Sequence, residues 1–175
     1  MINAMLGFGR LPVALAFVSA ALAGDGDWPH WRGPNDDGMA RGDAPLHWSD
    51  EEHIAWKAAI PGRGHSSPVV WADRLFLTTA VPIGNASGGG LVAHKFGLLV
   101  YDLETGKRIW SARGLGQNTI PAPVAWDGMV FVMSGFRNPN LMAIQLGREG
   151  DLTGTDAVVW QNQRGNSYTP SPRIA

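Results

Sequence analysis

The sequence contains no cysteine. Disulfide staples, thiolate metal ligands and a Cys-x-x-Cys redox pair are thereby excluded, as is a lipid anchor attached through a lipobox cysteine. Charge is also sparse. Asp, Glu, Lys and Arg make up 17% of 175 residues, below the ~25% of an average chain, which argues against long surface helices rich in Lys and Glu. With 14 basic against 15 acidic side chains the formal charge is −1, and no run of Lys or Arg occurs. Nucleic acid and anionic membrane surfaces are therefore not expected as partners. Long apolar runs are missing too: Leu11–Ala23 is 13 residues long, short of the roughly 20 that a spanning helix needs.

That run has a different meaning. Met1–Arg10 carries one basic and no acidic side chain, and the apolar stretch ends in Ala21-Leu22-Ala23. This is the pattern of a secretory signal peptide over residues 1–23, cleaved before Gly24. The expected location is the periplasm or the outside of the cell.

Chemistry-bearing clusters are equally scarce. The five His are scattered singly, without ligand spacing. Asp36, Asp37 and Asp43 lack the spacing of a calcium loop and read as turn residues. Gly64-His65-Ser66-Ser67-Pro68 puts Pro where a nucleophile elbow needs Gly, and adjacent residues on a strand point to opposite faces. The glycines at 88–90 are not followed by Lys-Ser/Thr, so they form no phosphate cradle. No catalytic, cofactor-binding or metal-binding residue is assigned, and no cofactor is expected.

What is abundant is Gly, at 23, Pro, at 12, and Trp, at 8, in a chain that is 45% hydrophobic. Such a composition fits turn-rich β structure around a core. It is arranged as a repeat. Pro68-Val69-Val70-Trp71 with Leu75-Phe76-Leu77 reappears as Pro123-Val124-Ala125-Trp126 with Val130-Phe131-Val132. Leu98–Trp110 is answered by Leu141–Trp160, the second copy having a longer turn before its closing Trp. A third copy starts at Thr169-Pro170-Ser171-Pro172.

Each unit reads as strands. Ala72-Asp73 and Asp127-Gly128 sit between apolar runs, where a tight hairpin turn is expected. Glu104-Thr105-Gly106 marks a second turn. Four strands per unit of about 50 residues describe a propeller blade. The expected fold is all-β: a partial β-propeller of about two four-stranded blades plus the start of a third, after a signal peptide. Its expected segments are 1–23, the signal peptide; 24–55, a Trp/Pro/Gly-rich strap; 56–110, the first blade; 111–160, the second; and 161–175, the start of a third, truncated blade. Recurrence at one repeat position marks Trp56, Trp71, Trp110, Trp126 and Trp160 as packing residues, with Thr105 and Gly106 as turn residues. Trp28, Trp31 and Trp48 stand outside the repeat and are expected to pin the strap, although recurrence does not decide whether their rings pack or form an exposed platform.

The stretch Tyr101-Asp102-Leu103-Glu104-Thr105-Gly106-Lys107-Arg108-Ile109-Trp110 resembles the pyrroloquinoline-quinone-like repeat, with its Thr-Gly turn and closing Trp. Asp27–Pro34 and Ile60–Pro68 look like segments of exported proteins with such repeats, similar to outer-membrane assembly propellers and, more distantly, to the quinoprotein alcohol dehydrogenase-like superfamily. The resemblance implies a non-catalytic scaffold in the periplasm. Its partner would be another protein or the missing remainder of the propeller. The alternative implied function is a quinoprotein dehydrogenase-like oxidoreductase, if further blades restore an axial cofactor site.

Overall fold

The computed structural model describes residues 26–84 and 92–174. The signal-peptide segment 1–23, the cleavage point at Gly24 and the glycines at 88–90 lie outside the described residues. Among the described residues, no helix is long and apolar enough to cross a membrane.

The described residues form nine strands: β1 (Val69–Trp71), β2 (Arg74–Ile83), β3 (Ala93–Asp102), β4 (Arg108–Leu115), β5 (Val124–Trp126), β6 (Met129–Ser134), β7 (Asn140–Gln145), β8 (Gly150–Asp151) and β9 (Val158–Asn162). They form a five-stranded sheet in the order β1-β2-β3-β4-β8 and a four-stranded sheet in the order β5-β6-β7-β9. The short turns explain the local pairing. Ala72 and Asp73 have φ of +47° and +60°, and Asp127 and Gly128 have +47° and +71°. Positive φ at both central residues is the geometry whose twist matches that of the flanking strands. Trp71 therefore opposes Arg74, and Trp126 opposes Met129.

Ala72 holds this backbone without a side chain suited to it. Replacing it by Asn, which tolerates left-handed backbone, is expected to stabilise the fold by about 1 kcal/mol. Urea unfolding reads this as a higher midpoint at constant slope, and a midpoint equal to or below wild type would contradict it.

The β3–β4 turn is held by Asp102. Its Oδ1 accepts hydrogen bonds from Thr105 N, at 2.9 Å, and Thr105 Oγ1, at 2.8 Å. Its Oδ2 lies 3.1 Å from Arg74 Nη1. The Thr105 bonds, with the nearby Arg74 charge, hold the Asp102 carboxyl below its ordinary pKa. Gly106 has φ +68°. A Cβ there would stand 2.5 Å from the Trp56 ring, whose Nε1 donates to Leu103 O at 2.7 Å. The indole thus caps the turn, and only glycine leaves room for it.

One core lies between the sheets. The first contributes Val69, Trp71, Phe76, Val100 and Trp110, and the second contributes Ala125, Val130, Val132, Met142 and Ile144. Trp110 is 3% exposed and meets Phe76 edge-on, with ring centroids 6.4 Å apart.

The expected partial propeller is corrected by this topology. The two sheets are open and not curled, and the molecule is an all-β domain without propeller blades. Residues 146–157, read in the sequence as a longer turn, cross to the first sheet instead. Within them β8 pairs parallel with β4, placing Gly150 opposite Trp110 and Asp151 opposite Ser111. Leu152 N donates to Ser111 O at 2.8 Å, and Arg113 N donates to Thr153 Oγ1 at 3.0 Å. Asp151 accepts from Thr153, which holds its carboxyl below the ordinary range. The second repeat thus completes the sheet of the first by backbone pairing, which an independent blade would not do.

Candidate ligand-binding cleft

The strap before the strands is pinned to the edges of both sheets. Trp28 N donates to Val70 O at 2.8 Å, and Val70 N donates back to Trp28 O at 2.9 Å. Asp27 Oδ1 accepts from Ala72 N at 2.9 Å. Pro29 O accepts from Ala125 N at 3.2 Å, so the strap bridges β1 and β5. Just beyond, Gly33 takes φ +73°, and a Cβ on it would meet the Trp28 ring at 2.8 Å. The chain then turns back on itself: Gly33 N donates to His30 O, Asp36 N to Gly33 O and Gly38 N to Arg32 O. These turns hold the Trp31 side chain outward.

The chain after β9 meets this strap. Ser171 Oγ accepts from Ala122 N at 3.0 Å. Asp36 lies 2.7 Å from Arg173 Nη2 through Oδ2 and 3.4 Å from His30 Nδ1 through Oδ1. Asn118 Nδ2 donates to Tyr168 OH at 3.0 Å, and the Tyr168 ring packs on Phe136. Between the two segments lies a cleft of about 350 Å³, lined by Trp31, His65, Ser67, Ile120, Ala122, Thr169, Pro170 and Ser171. Two depressions share its walls, one beside His30, Asp36 and Arg173 and one beside Arg63, His94 and Asn118.

The three repeat starts converge here. Ser67, Ala122 and Ser171 each precede the proline that opens a repeat, and all three line the cleft. Trp31, at 60% exposed, forms one wall. No Asp, Glu, Lys or Arg lines the central cleft. Its chemistry is one flat aromatic face, two or three hydroxyls and an imidazole.

Neighbouring motifs have structural work. Ser66 Oγ lies 2.7 Å from Thr78 Oγ1, which donates to Thr119 O at 2.9 Å. Ser66 thus fastens the chain beside β2. Asp37 Oδ1 accepts from Met39 N at 2.9 Å, a local turn bond. Among the described residues, no group of three or more His, Asp and Glu is placed to hold a metal ion. A larger hollow of about 410 Å³ lies on the other face of the first sheet, beside Thr79, Leu99, Arg108 and Arg113. Its floor is formed by residues of β2, β3 and β4, and its rim carries charged side chains, with Arg113 3.7 Å from Asp151.

The sequence-marked residues fall in three settings. Trp71 and Trp110 are buried between the sheets, at 6% and 3% exposed. Trp56 is half-buried on the turn made by Thr105 and Gly106. Trp126 and Trp160, expected to be buried by their place in the repeat, are 49% and 43% exposed, although Val124 and Ala143 on the same outer face of the second sheet are buried, so among the described residues only part of that face is covered. None of the seven lines the cleft. Trp31 was legible as a tryptophan outside the repeat, whereas its partners Thr169 and Ser171 carried no signal except the start of a third copy.

No family model matches the chain, and no curated protein matches it either. The resemblance to pyrroloquinoline-quinone-like repeats is therefore corrected along with the propeller. The implied scaffold function goes with it, as does the quinoprotein oxidoreductase alternative: the sheets are open, and the described residues gather no group of His, Asp and Glu that could hold a metal ion.

Proposed function

We propose that this chain is a binding module for a neutral, hydroxylated small molecule, namely a mono- or oligosaccharide, held in the cleft beside Trp31. The observation that carries this reading is the Trp31 ring, left 60% exposed on a backbone that is pinned on both sides. An exposed indole normally loses free energy to water, and a sugar ring can cover it with its apolar C–H face. Ser67, Thr169 and His65 then stand at the rim to exchange hydrogen bonds with ring hydroxyls. A cleft of about 350 Å³ falls within the roughly 300–1,000 Å³ of small-molecule sites. The residues lining the central cleft are uncharged, which favours a neutral ligand, and a nearby cation, the Arg32 guanidinium, stands 6.0 Å from the centroid of the Trp31 ring.

Calorimetric titration with cellobiose, maltose, chitobiose and mannobiose tests this. At least one sugar is expected to bind with a Kd of about 0.1–1 mM, a modest affinity suited to an open cleft. Trp31→Ala should weaken that binding tenfold or more while leaving the urea midpoint within about 0.5 kcal/mol of wild type, as befits an exposed residue. Absence of binding across the panel would overturn the proposal, as would wild-type affinity in Trp31→Ala.

A further inference from the structure

The hollow on the first sheet is built from side chains that register brings to one face. Val81 stands opposite Lys95, Thr79 opposite Gly97 and Gly97 opposite Arg113, Leu99 opposite Ser111, and Tyr101 opposite Arg108. Opposed residues share a face. Leu98, Val100, Trp110 and Ala112, on the same two strands, belong to the core. The hollow therefore lies on the face turned away from the second sheet.

Its shape has local causes. Gly97 leaves the middle of the floor without a side chain, and a Cβ there would collide with the Ala112 carbonyl oxygen of the neighbouring strand. Leu99, 5% exposed, and half-buried Val81 and Ser111 make up the floor around it. Pro61 forms one wall. It is held there because Thr79 Oγ1 donates to its carbonyl, and because Arg63 and Ala80 exchange backbone bonds of 3.1 and 2.6 Å just beyond it.

The charge of the hollow is one-sided. Lys95, Arg108 and Arg113 line it, and no Asp or Glu does, in a chain whose formal charge is −1. Asp151 stands outside the lining, 3.7 Å from Arg113, and offsets one charge of the three. Among the described residues, neither Lys95 nor Arg108 has an ion-pair partner. Cations beside an apolar floor attract an anion more strongly than cations surrounded by water, and a guanidinium matches a carboxylate in shape.

We propose that this hollow binds an amphipathic carboxylate, its apolar body lying on Val81 and Leu99 and its carboxylate held by the cations of the rim. Charge complementarity selects an anion over a neutral guest, and the floor selects an apolar body over a small hydrophilic anion. The site is separate from the Trp31 cleft and does not rest on the sugar-binding reading.

NMR titration of the whole chain with octanoate tests the proposal. The backbone amides of Gly97, Leu99 and Ser111 are expected to shift saturably, with a Kd of about 0.1–1 mM. Octan-1-ol, which has the same chain without the charge, should bind at least about tenfold more weakly. The double variant Lys95→Gln/Arg108→Gln removes two side chains with no ion pair to lose, so its circular dichroism should match wild type while its octanoate affinity falls about tenfold or more. The two single variants, each expected to weaken binding about threefold, decide the matter if the double variant does not fold. Lys57→Gln, in the strap, should leave octanoate binding unchanged. Absence of octanoate binding overturns the proposal, as do shifts confined to the Trp31 cleft, equal binding of octan-1-ol, or wild-type affinity in the folded Gln variants. Sugar binding is read at Trp31, so either idea can fail alone.

Discussion

Trp110→Ala is expected to cost the fold about 3–5 kcal/mol, the range for truncating a fully buried tryptophan. The ring is 3% exposed, packs edge-on against Phe76 and stands between the two sheets, with Gly150 of the crossing strand opposite its backbone. Removing it deletes apolar contact with both sheets and leaves a cavity that neither can close without shifting the β4–β8 pairing. Ordinary domains are stable by about 5–15 kcal/mol, so this variant should accumulate in the unfolded or insoluble fraction. Urea unfolding followed by far-UV circular dichroism measures the loss. A difference from wild type below about 1 kcal/mol, too small for a buried ring, would mean that Trp110 does not wedge the sheets together.

Gly106→Ala is expected to cost about 2–4 kcal/mol, combining left-handed backbone strain with overpacking. The backbone there sits at φ +68°, and the added Cβ would lie 2.5 Å from the Trp56 ring. The indole must then leave the turn, breaking its 2.7 Å bond to Leu103 O. The indole N–H resonance of Trp56 should move and lose protection from solvent exchange. A variant of wild-type stability with an unmoved Trp56 signal would contradict the capping role.

The hairpins were legible because their chemistry is local. Positive φ is what Asp127-Gly128 suggests, and Ala72-Asp73, whose Ala is unsuited to it, was read as a turn from its matching place in the repeat, while the Asp102–Thr105 bonds are built within four residues. The relation between sheets was not legible, because repeated strands fix pairing inside a unit without fixing what covers its outer faces. Residues 146–157 read as a turn, since Gly150-Asp151 has no apolar alternation and joins β4 through backbone bonds that any side chains permit. Trp126 and Trp160 occupy the same repeat positions as buried rings, yet burial depends on a neighbour that a repeat pattern cannot supply. The Trp31 cleft was not legible, since Trp31 was read as pinning the strap and its ring is 60% exposed instead. An indole in a Gly/Pro-rich strap stood out, but its opposite wall comes from Thr169 and Ser171, at the far end of the chain.

The central claim is that Trp71 and Trp110 are buried between two sheets while Trp31, Trp126 and Trp160 face solvent on two separate surfaces. The most direct test is hydrogen exchange of the assigned indole N–H groups by NMR. The account predicts slow exchange for Trp71 and Trp110 and fast exchange for Trp31, Trp126 and Trp160. Slow exchange at Trp126 and Trp160, or fast exchange at Trp110, would contradict it.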